Sequence, residues 1–405
     1  MYAEKQVVLG VSGGIAAYKA AALLRLLVRA GADVHVVMTQ NAQEFITPLT
    51  FQTLSGNPVH TNLFNLIQER EIGHIGLADR ADLVLIAPAT ANLIGKVASG
   101  LADDLLTTTI MATKAPVLFV PAMNTNMWEN PVCQQNRAKL SDYGYHFMQP
   151  VHGELACGWQ GQGKMPEPED IFDCAQPLLG TQDLGGKTVL VTAGPTREEL
   201  DPVRFLSNYS SGKMGYAVAR AARNHGAKVI LVSGPVHLTA PQNIETIRVQ
   251  TANEMHAAVI THAKRADVVI KAAAVADYRP ANRADLKTKK SQGPTSLNLV
   301  QNPDILDELG QNKQDLLLVG FAAETNEIRQ NAIAKLTQKN LDLIVANDVS
   351  LDDAGFDVET NIVRFFSADG TIEDLPKMSK DEVAEALIKK LVTLMGQKTE
   401  GRSGR

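Results

Sequence analysis

The sequence predicts an α/β protein built from two doubly wound halves, and three observations carry that prediction. First, QVVLGVSGGIAAYKAAALLRLLVRAGADVHVVMT, residues 6–39, reads as strand, glycine turn, amphipathic helix, glycine and strand. Second, KTVLVTAGPTREELDPVRFLSNYSSGKMGYAVARAARNHGAKVILVSG, residues 187–234, repeats the plan with a longer loop after its opening strand. Third, the apolar runs after each repeat are separated by helix-patterned stretches rather than by hairpin turns. A parallel crossover needs a helix and a sheet buried on both faces, so each repeat nucleates its own Rossmann-like layer.

In the first half the next strands are DLVLIAP (82–88) and PVLFVP (116–121), with one helical stretch, ATANLIGKVASGLADDLLTTTIMA, between them. In the second half DVVIKAAAVADY, LLLVGFAAET and LDLIVAND read as strands, with helices over Glu254–Lys264 and Glu327–Lys339. The glycines and polar residues of LLGTQDLGGKT, 178–188, break both patterns and mark a boundary, giving domains 1–185 and 186–395. The last ten residues, 396–405, read as a disordered tail.

A chain of 405 residues with 45% hydrophobic and 20% charged side chains is an ordinary packed globular protein. Its net charge of -5 counts against nucleic-acid binding, which favours a basic balance. Three cysteines, Cys133, Cys157 and Cys174, are too sparse and too odd in number for a disulfide framework and suit a reducing compartment. MYAEKQVVLG has no signal-peptide pattern, and no uncharged apolar run approaches the roughly 18 residues of a membrane span. The expectation is a soluble cytoplasmic protein acting on small molecules, with neither nucleic acid nor membrane as partner.

The residues that could carry chemistry lie where strands end. Ser12, Gly13 and Gly14 of GVSGGIAAYK stand at a helix N-terminus, where backbone N–H groups and the helix dipole suit a phosphate. The second strand ends at Thr39, where a dinucleotide fold would place Asp or Glu, so NAD is disfavoured. A mononucleotide such as flavin mononucleotide and a turn that only packs both remain open. Asn124 of PAMNTNMW follows an apolar strand and could hold a carboxylate, while Met123, Met127 and Trp128 read as core. His74 is either a packing residue or a catalyst. HGELACGWQGQGKMPEP, 152–168, is too rich in glycine for a stable helix or strand interior, so Cys157 sits in a loop, buried or mobile. DLKTKK, 285–290, beside Arg279 and Arg283, is either a solvated run or a cationic loop that closes on a polyphosphate. Lys335 and Lys339, four apart, share one helix face.

Several long motifs, in order, resemble one known family. SGGIAAYK, ADLVLIAPATANLIGKVASGLADDLL, PAMNTNMW and LACGWQGQGKM resemble flavin-dependent cysteine decarboxylases of the flavodoxin-like fold, and within them phosphopantothenoylcysteine decarboxylase. TAGPTREELDPVRFLSNYSSGKMG, AAAVADYRP and GFAAET resemble phosphopantothenate-cysteine ligase. Joined in this order, they resemble the bacterial bifunctional coenzyme A biosynthesis proteins over all but the tail. Lys164 is the one variation, standing where GxGRM would have Arg.

The resemblance implies that Ser12, Gly13, Gly14, Thr39, Thr90 and Asn92 bind FMN. It makes His74 the catalytic histidine, Asn124 the grip on the substrate carboxylate, and Cys157 the proton donor on a substrate clamp. The implied decarboxylation passes from thiol to thioaldehyde, loses carbon dioxide to give an enethiol, and ends at 4'-phosphopantetheine. For the second half it implies CTP and Mg²⁺: the carboxylate of 4'-phosphopantothenate attacks the α-phosphate, and the amine of L-cysteine displaces CMP to give 4'-phosphopantothenoylcysteine. Asn208 would handle the acyl-cytidylate and Lys287 the triphosphate, with Lys289 as its near neighbour. Ala273, Asp277, Asn302, Pro303, Asp304, Ile305, Phe321, Lys335 and Lys339 would contact CTP, Asp277 also holding the metal. Ser210–Gly215 would be a dimer-contact segment, and trimeric and dimeric contacts would combine into a homo-oligomer of twelve chains. Two rivals are an NAD(P)-dependent reductase, which would be colourless, and an FMN-binding regulator, which would tolerate loss of His74 and Cys157.

Overall fold

The computed structural model describes residues 2–63, 73–156, 158–288, 296–324, 328–348 and 360–403, and the chain divides into two units, Met1–Gly180 and Thr181–Arg405. In the first unit, β1 (Gln6–Val11), β2 (Asp33–Met38), β3 (Leu83–Ala89), β4 (Val117–Pro121) and β5 (His146–Phe147) form a parallel sheet ordered β2-β1-β3-β4-β5. Its helices are α1 (Ala17–Arg29), α2 (Pro48–Ser55), α3 (Gly73–Arg80), α4 (Ala91–Ala98), α5 (Leu105–Ala112), α6 (Thr125–Glu129) and α7 (Pro131–Asp142). A hairpin of β6 (Val151–Glu154) and β7 (Gln160–Lys164) and a last helix, α8 (Pro168–Leu179), complete the unit.

The sheet is buried on both faces, as parallel pairing requires. Val7, Leu9 and Val11 pack with Ala20, Leu23, Leu24 and Leu27 of α1, an i, i+3, i+4, i+7 stripe. Val8, Val84 and Ile86 pack on the opposite face with Leu93, Ile94, Val97 and Leu106. Strand β3 has no residue facing solvent along its length.

Two readings of this half are corrected. The stretch 89–112 is not one helix: Gly100 turns at φ 72°, and Asp104 starts α5 with a capping box, accepting from the Thr107 amide at 2.8 Å. Residues 152–168 are not simply loop either, because backbone pairing turns Gly153, Gly161 and Gly163 into strand residues of the β6–β7 ribbon.

In the second unit, β8 (Thr188–Ala193), β9 (Arg197–Glu199), β10 (Phe205–Ser207), α9 (Lys213–Asn224), β11 (Lys228–Ser233), β12 (Glu245–Arg248) and α10 (Ala252–Ala263) come first. There follow β13 (Val268–Lys271), β14 (Tyr278–Pro280), β15 (Leu299–Gln301), α11 (Ile305–Gln311), β16 (Leu317–Glu324), α12 (Ile328–Gln338) and β17 (Leu343–Asp348). The unit closes with β18 (Thr360–Asn361), β19 (Val363–Ser367), β20 (Ile372–Asp374), β21 (Met378–Ser379) and α13 (Lys380–Ser403). The main sheet is ordered β12-β11-β8-β13-β16-β17-β19-β20, parallel as far as β17 and antiparallel beyond it. Its parallel part has the 3-2-1-4-5-6 order of dinucleotide folds.

Helix α9 lies close on β8 because Gly215 has no side chain: a Cβ there would fall 2.6 Å from Ala193 Cβ and 2.8 Å from Thr192 O. The 267–278 strand stops at Lys271, since Thr192 and Thr196 hydroxyls capture the amides of Ala273 (3.1 Å) and Ala276 (3.0 Å) and break the ladder. Helix α13 packs Leu387, Ile388 and Leu391 into the core, and its backbone remains helical to Ser403, within the stretch read as a tail. Once such a helix is nucleated, each further residue adds a hydrogen bond.

His225, buried at the end of α9, bonds Glu385 of α13 at 3.0 Å and Asp183 at 3.3 Å. The Glu385 bond first, then the charges of both carboxylates, hold its pKa above the ordinary 6.5 against the opposing effect of burial. A folded-state pKa raised this way stabilises the unit fully below 6.5 and loses that contribution as pH rises through the folded value. Urea unfolding of the wild type should therefore show a midpoint that falls as pH rises above 6.5, and His225→Gln should flatten that slope; equal slopes would refute the assignment.

Candidate functional site

In the first unit the sheet order reverses direction between β1 and β3, and the carboxyl ends of the strands open there into a cavity of about 1160 Å³. Its floor is set by Ser12. The Ser12 hydroxyl is 2.8 Å from Pro88 O, to which it donates, and accepts the Thr90 amide at 3.0 Å, tying the end of β1 to the turn after β3. That hydroxyl is buried and committed, so an anion placed here would meet the backbone that follows it. Helix α1 has no side-chain cap, and the amides of Gly13, Gly14, Ile15 and Ala16 meet no backbone acceptor among the described residues. Such a helix start is an anion site. Gly13 is required for a second reason: a Cβ there would collide with Asn41, across the cavity mouth.

The other predicted cofactor residues surround the same space. Thr39 accepts the Ala42 amide at 3.3 Å and shapes the turn after β2. Thr90 caps α4 and Asn92 lies in its first turn, both lining the cavity. Asn124, in the turn after β4, accepts the Asn126 amide at 2.9 Å and lines the opposite wall. Trp128 is buried as expected, but Met127 is 49% exposed and faces the cavity, because the short helix α6 turns it away from the sheet.

The β6–β7 ribbon covers one side. Gly163 O accepts the Met123 amide at 3.0 Å, docking the ribbon on the turn that carries Asn124. Neither Gly161 nor Gly163 could bear a Cβ, which would collide with Thr125 and with Met123 O, and Gly163 has φ 152°. These glycines are therefore close-approach positions. At the ribbon's tip, Leu155, Ala156 and Gly158 line the cavity; Cys157 lies outside the described residues. His74 belongs to the first turn of α3, and its side chain is likewise outside them.

In the second unit the order reverses between β8 and β13. Ala273 is buried at this point, and Asn208, at the end of β10, donates to Val275 O at 3.1 Å. Asn302 organises the rim: its amide N–H donates to Asp277 O at 2.8 Å, its Nδ2 to Ala276 O at 2.8 Å, and its Oδ1 accepts from Arg279 at 3.0 Å. Pro303 follows, and Asp304 caps α11 and pairs with Lys339 at 2.6 Å. Burial works to raise Asp304, but Lys339 and the Asp307 amide hold its carboxyl below the usual range. Ile305 is wholly in the core, so only its backbone can meet a ligand. Phe321 is partly buried, Lys335 and Lys287 are exposed, Asp277 is exposed, and Lys289 lies outside the described residues. No group of three His, Cys, Asp or Glu side chains that could hold a metal ion occurs among the described residues.

Two lysines escaped the sequence reading. Lys19, in the first turn of α1, is buried and donates to Met165 O at 3.0 Å and to Glu167 at 2.8 Å, joining the helix to the strand exit of the ribbon. Lys271 ends β13; burial pushes its ammonium below the ordinary lysine range, while the carboxylates of Asp304 and Asp277 pull it back up. A charged residue closing the apolar run VVI was the available signal for the second.

Neither β2 nor β11 ends in a carboxylate: Thr39 and Ser233 occupy those places. Fold and site thus define a protein of two doubly wound units, the first with a nucleotide-sized cavity at its switch point and the second with a polar rim built around Asn302 at its own. Residues 1–180 match the Flavoprotein family, and residues 184–395 match the DNA/pantothenate metabolism flavoprotein C-terminal domain. The coenzyme A biosynthesis bifunctional protein CoaBC of Bacillus subtilis is 50% identical over 404 residues, 99% of this chain and 100% of that protein. The protein of the same name from Vibrio cholerae is 49% identical over 389 residues, 95% of this chain and 97% of its own. A crystal structure of the C-terminal domain of a CoaBC protein shares 45% identity with a TM-score of 0.47, covering 54% of this chain and all, 100%, of that one. The chain belongs to the family of bifunctional coenzyme A biosynthesis proteins.

Gly163→Ala should lift the ribbon off the Met123 turn and lower decarboxylation at least about 10-fold. Ligase activity should stay unchanged in the same variant. Assay of both activities on one preparation checks this, and a fully active decarboxylase would exclude close docking of the ribbon.

Proposed function

We propose that the C-terminal domain, 186–395, couples 4'-phosphopantothenate to L-cysteine with CTP, and that the N-terminal domain, 1–185, decarboxylates the 4'-phosphopantothenoylcysteine so formed to 4'-phosphopantetheine, with FMN bound. The observation that carries this reading is the juxtaposition, at the first switch point, of an uncapped helix start, a ring of polar side chains and a glycine-docked ribbon, in a chain related over its whole length to bifunctional coenzyme A proteins.

The residues present suit FMN: the α1 amides face an anion, Thr39, Thr90 and Asn92 line the polar wall, and Ile15, Leu93 and Met127 give apolar surface for an aromatic ring system. Bound FMN supplies a reversible two-electron exchange with the substrate's thiol-bearing carbon. The chain's own tasks are orientation and proton handling. Asn124 holds the departing carboxylate through its amide, His74 assists at the reacting centre, and the ribbon excludes water. Cys157 keeps a proton on Sγ for delivery to the enethiol carbon.

In the ligase site the carboxylate of 4'-phosphopantothenate attacks the α-phosphate of CTP, pyrophosphate leaves, and cysteine's amine then displaces CMP. Lys287, Lys335 and Lys339, with Lys289 as a second candidate, would neutralise triphosphate charge, and Asp277 would help hold Mg²⁺, which would supply further charge neutralisation there. Ala273, Phe321 and the Asn302–Ile305 turn hold the nucleotide, and Asn208 grips the acyl-cytidylate. By the family resemblance the enzyme works in the cytoplasm as a homo-oligomer of twelve chains, and the large apolar side chain of Tyr18, 62% exposed beside the cavity, would suit a subunit contact there.

The purified protein should be yellow and should convert 4'-phosphopantothenate, cysteine and CTP to 4'-phosphopantetheine; a colourless, folded and inactive protein would overturn the reading. Cys157→Ser should release carbon dioxide but form final product at least about 100-fold more slowly, with enethiol accumulating. Normal product formation would remove Cys157 as the proton donor. Lys287→Gln should lower pyrophosphate release about 100-fold and leave decarboxylation of supplied 4'-phosphopantothenoylcysteine intact; loss of both activities in the folded variant would refute the two-site division.

A further inference from the structure

We propose that Asp201, acting with Arg204, is a positioning residue for amide formation, holding the segment that presents Lys287 in register with Asn208. The inference rests on the assignment of Lys287 to the ligase site.

Asp201 lies in the β9–β10 turn and is only 2% exposed. Its two oxygens have separate partners. Oδ1 accepts the amides of Val203 and Arg204, each at 2.9 Å, which closes the turn. Oδ2 accepts from Arg204 Nε at 3.0 Å and Nη2 at 2.5 Å, and also from the amide of Thr288 at 3.3 Å. Arg204 Nη2 in turn donates to Thr288 O at 3.0 Å, so the pair grips both backbone polar groups of the residue next to Lys287. The Arg204 bonds first, then the backbone amides, hold the Asp201 carboxyl far below the usual carboxylate range, so the anion is maintained despite its burial.

The near end of the segment is anchored on the same hairpin. Arg283 Nε donates to Glu199 at 2.5 Å and the Ala284 amide to Leu200 O at 2.9 Å. Between these anchors and Thr288, Leu286 is 82% exposed and Lys287 is exposed, forming the crest of a short arch. The hairpin itself is firmly mounted. Buried Glu198 accepts the Ala252 amide at 2.8 Å, and the Ser207 hydroxyl donates to Thr196 O at 2.8 Å. One residue further on is Asn208, bonded to Val275 O beside the switch point. A single ribbon thus fixes the arch at one end and Asn208 at the other. The turn needs only Oδ1; the contacts of Oδ2 reach a segment 87 residues away, and placing Lys287 explains them.

Asp201→Asn separates the two roles. Its amide oxygen can keep the turn, while its NH₂ group faces three N–H donors and releases Thr288. The variant should retain the wild-type circular dichroism, and its kcat for pyrophosphate release should fall about 10- to 100-fold. Decarboxylation of supplied 4'-phosphopantothenoylcysteine should be unchanged, and trypsin should cut after Lys287 faster. In a Lys287→Gln background the same substitution should change the residual rate by less than about 2-fold, since it acts through that lysine. Unchanged kcat in Asp201→Asn, or an undiminished loss on top of Lys287→Gln, would overturn the proposal. Full ligase activity in Lys287→Gln alone would instead show that the underlying assignment of Lys287 had failed, and the positioning role with it. Should Asp201→Asn fail to fold, Arg204→Met, which removes the bond to Thr288 O and leaves the Oδ1 turn, must give the same pattern or the proposal is wrong.

Discussion

Parallel strands cannot be joined by tight turns, and the helices that join them must cover both faces of the sheet. Where the direction of winding reverses, neighbouring crossovers depart to opposite faces and leave the carboxyl ends of two strands uncovered. Both candidate sites of this protein lie at such reversals, between β1 and β3 and between β8 and β13. Everything placed there depends on them: the α1 helix start, the Asn124 turn, the Asn302 rim and the Asn208 contact.

Buried polar groups do much of the shaping. Ser12, Thr192 and Thr196 direct their hydroxyls into the backbone of the neighbouring crossover. A hydroxyl withdrawn from water must find partners, and here the partners are the strand exits that have to be held apart. The two units use this device differently. In the first it leaves helix amides facing open space; in the second it ends β13 early and frees Ala273–Asp277 to form a wall.

The main parallel strands β1–β4, β8, β11, β13, β16 and β17 and the helices α1 and α9 were legible because their apolar residues form strand and helix patterns that burial enforces, whereas the outlying strands β5, β12, β19 and β20 were not. Less legible was the break at Ser99–Asp104, since the helical pattern resumes in phase and only Gly100 and the Asp104 cap interrupt it. The 152–168 ribbon was hidden by its composition: glycines that would weaken a free strand are required where the strand lies on another backbone. For the sites, Ser12, Gly13 and Asn124 stand at strand exits, which a sequence reveals, while Asn302 was reached only through the family resemblance; Lys19 and Asp201 act through residues more than 80 positions away.

The two repeats, the main parallel strands β1–β4, β8, β11, β13, β16 and β17 with the helices between them, and the residue types at their exits were determined by the sequence alone, since period and turn chemistry are local properties. Which strand exits become neighbours was decided only by the tertiary structure. The sheet orders, the close docking of Gly161 and Gly163, and the hold of Asp201 on the segment carrying Lys287 come from contacts between distant parts of the chain. Those contacts depend on how crossovers pack, and no local pattern encodes that geometry.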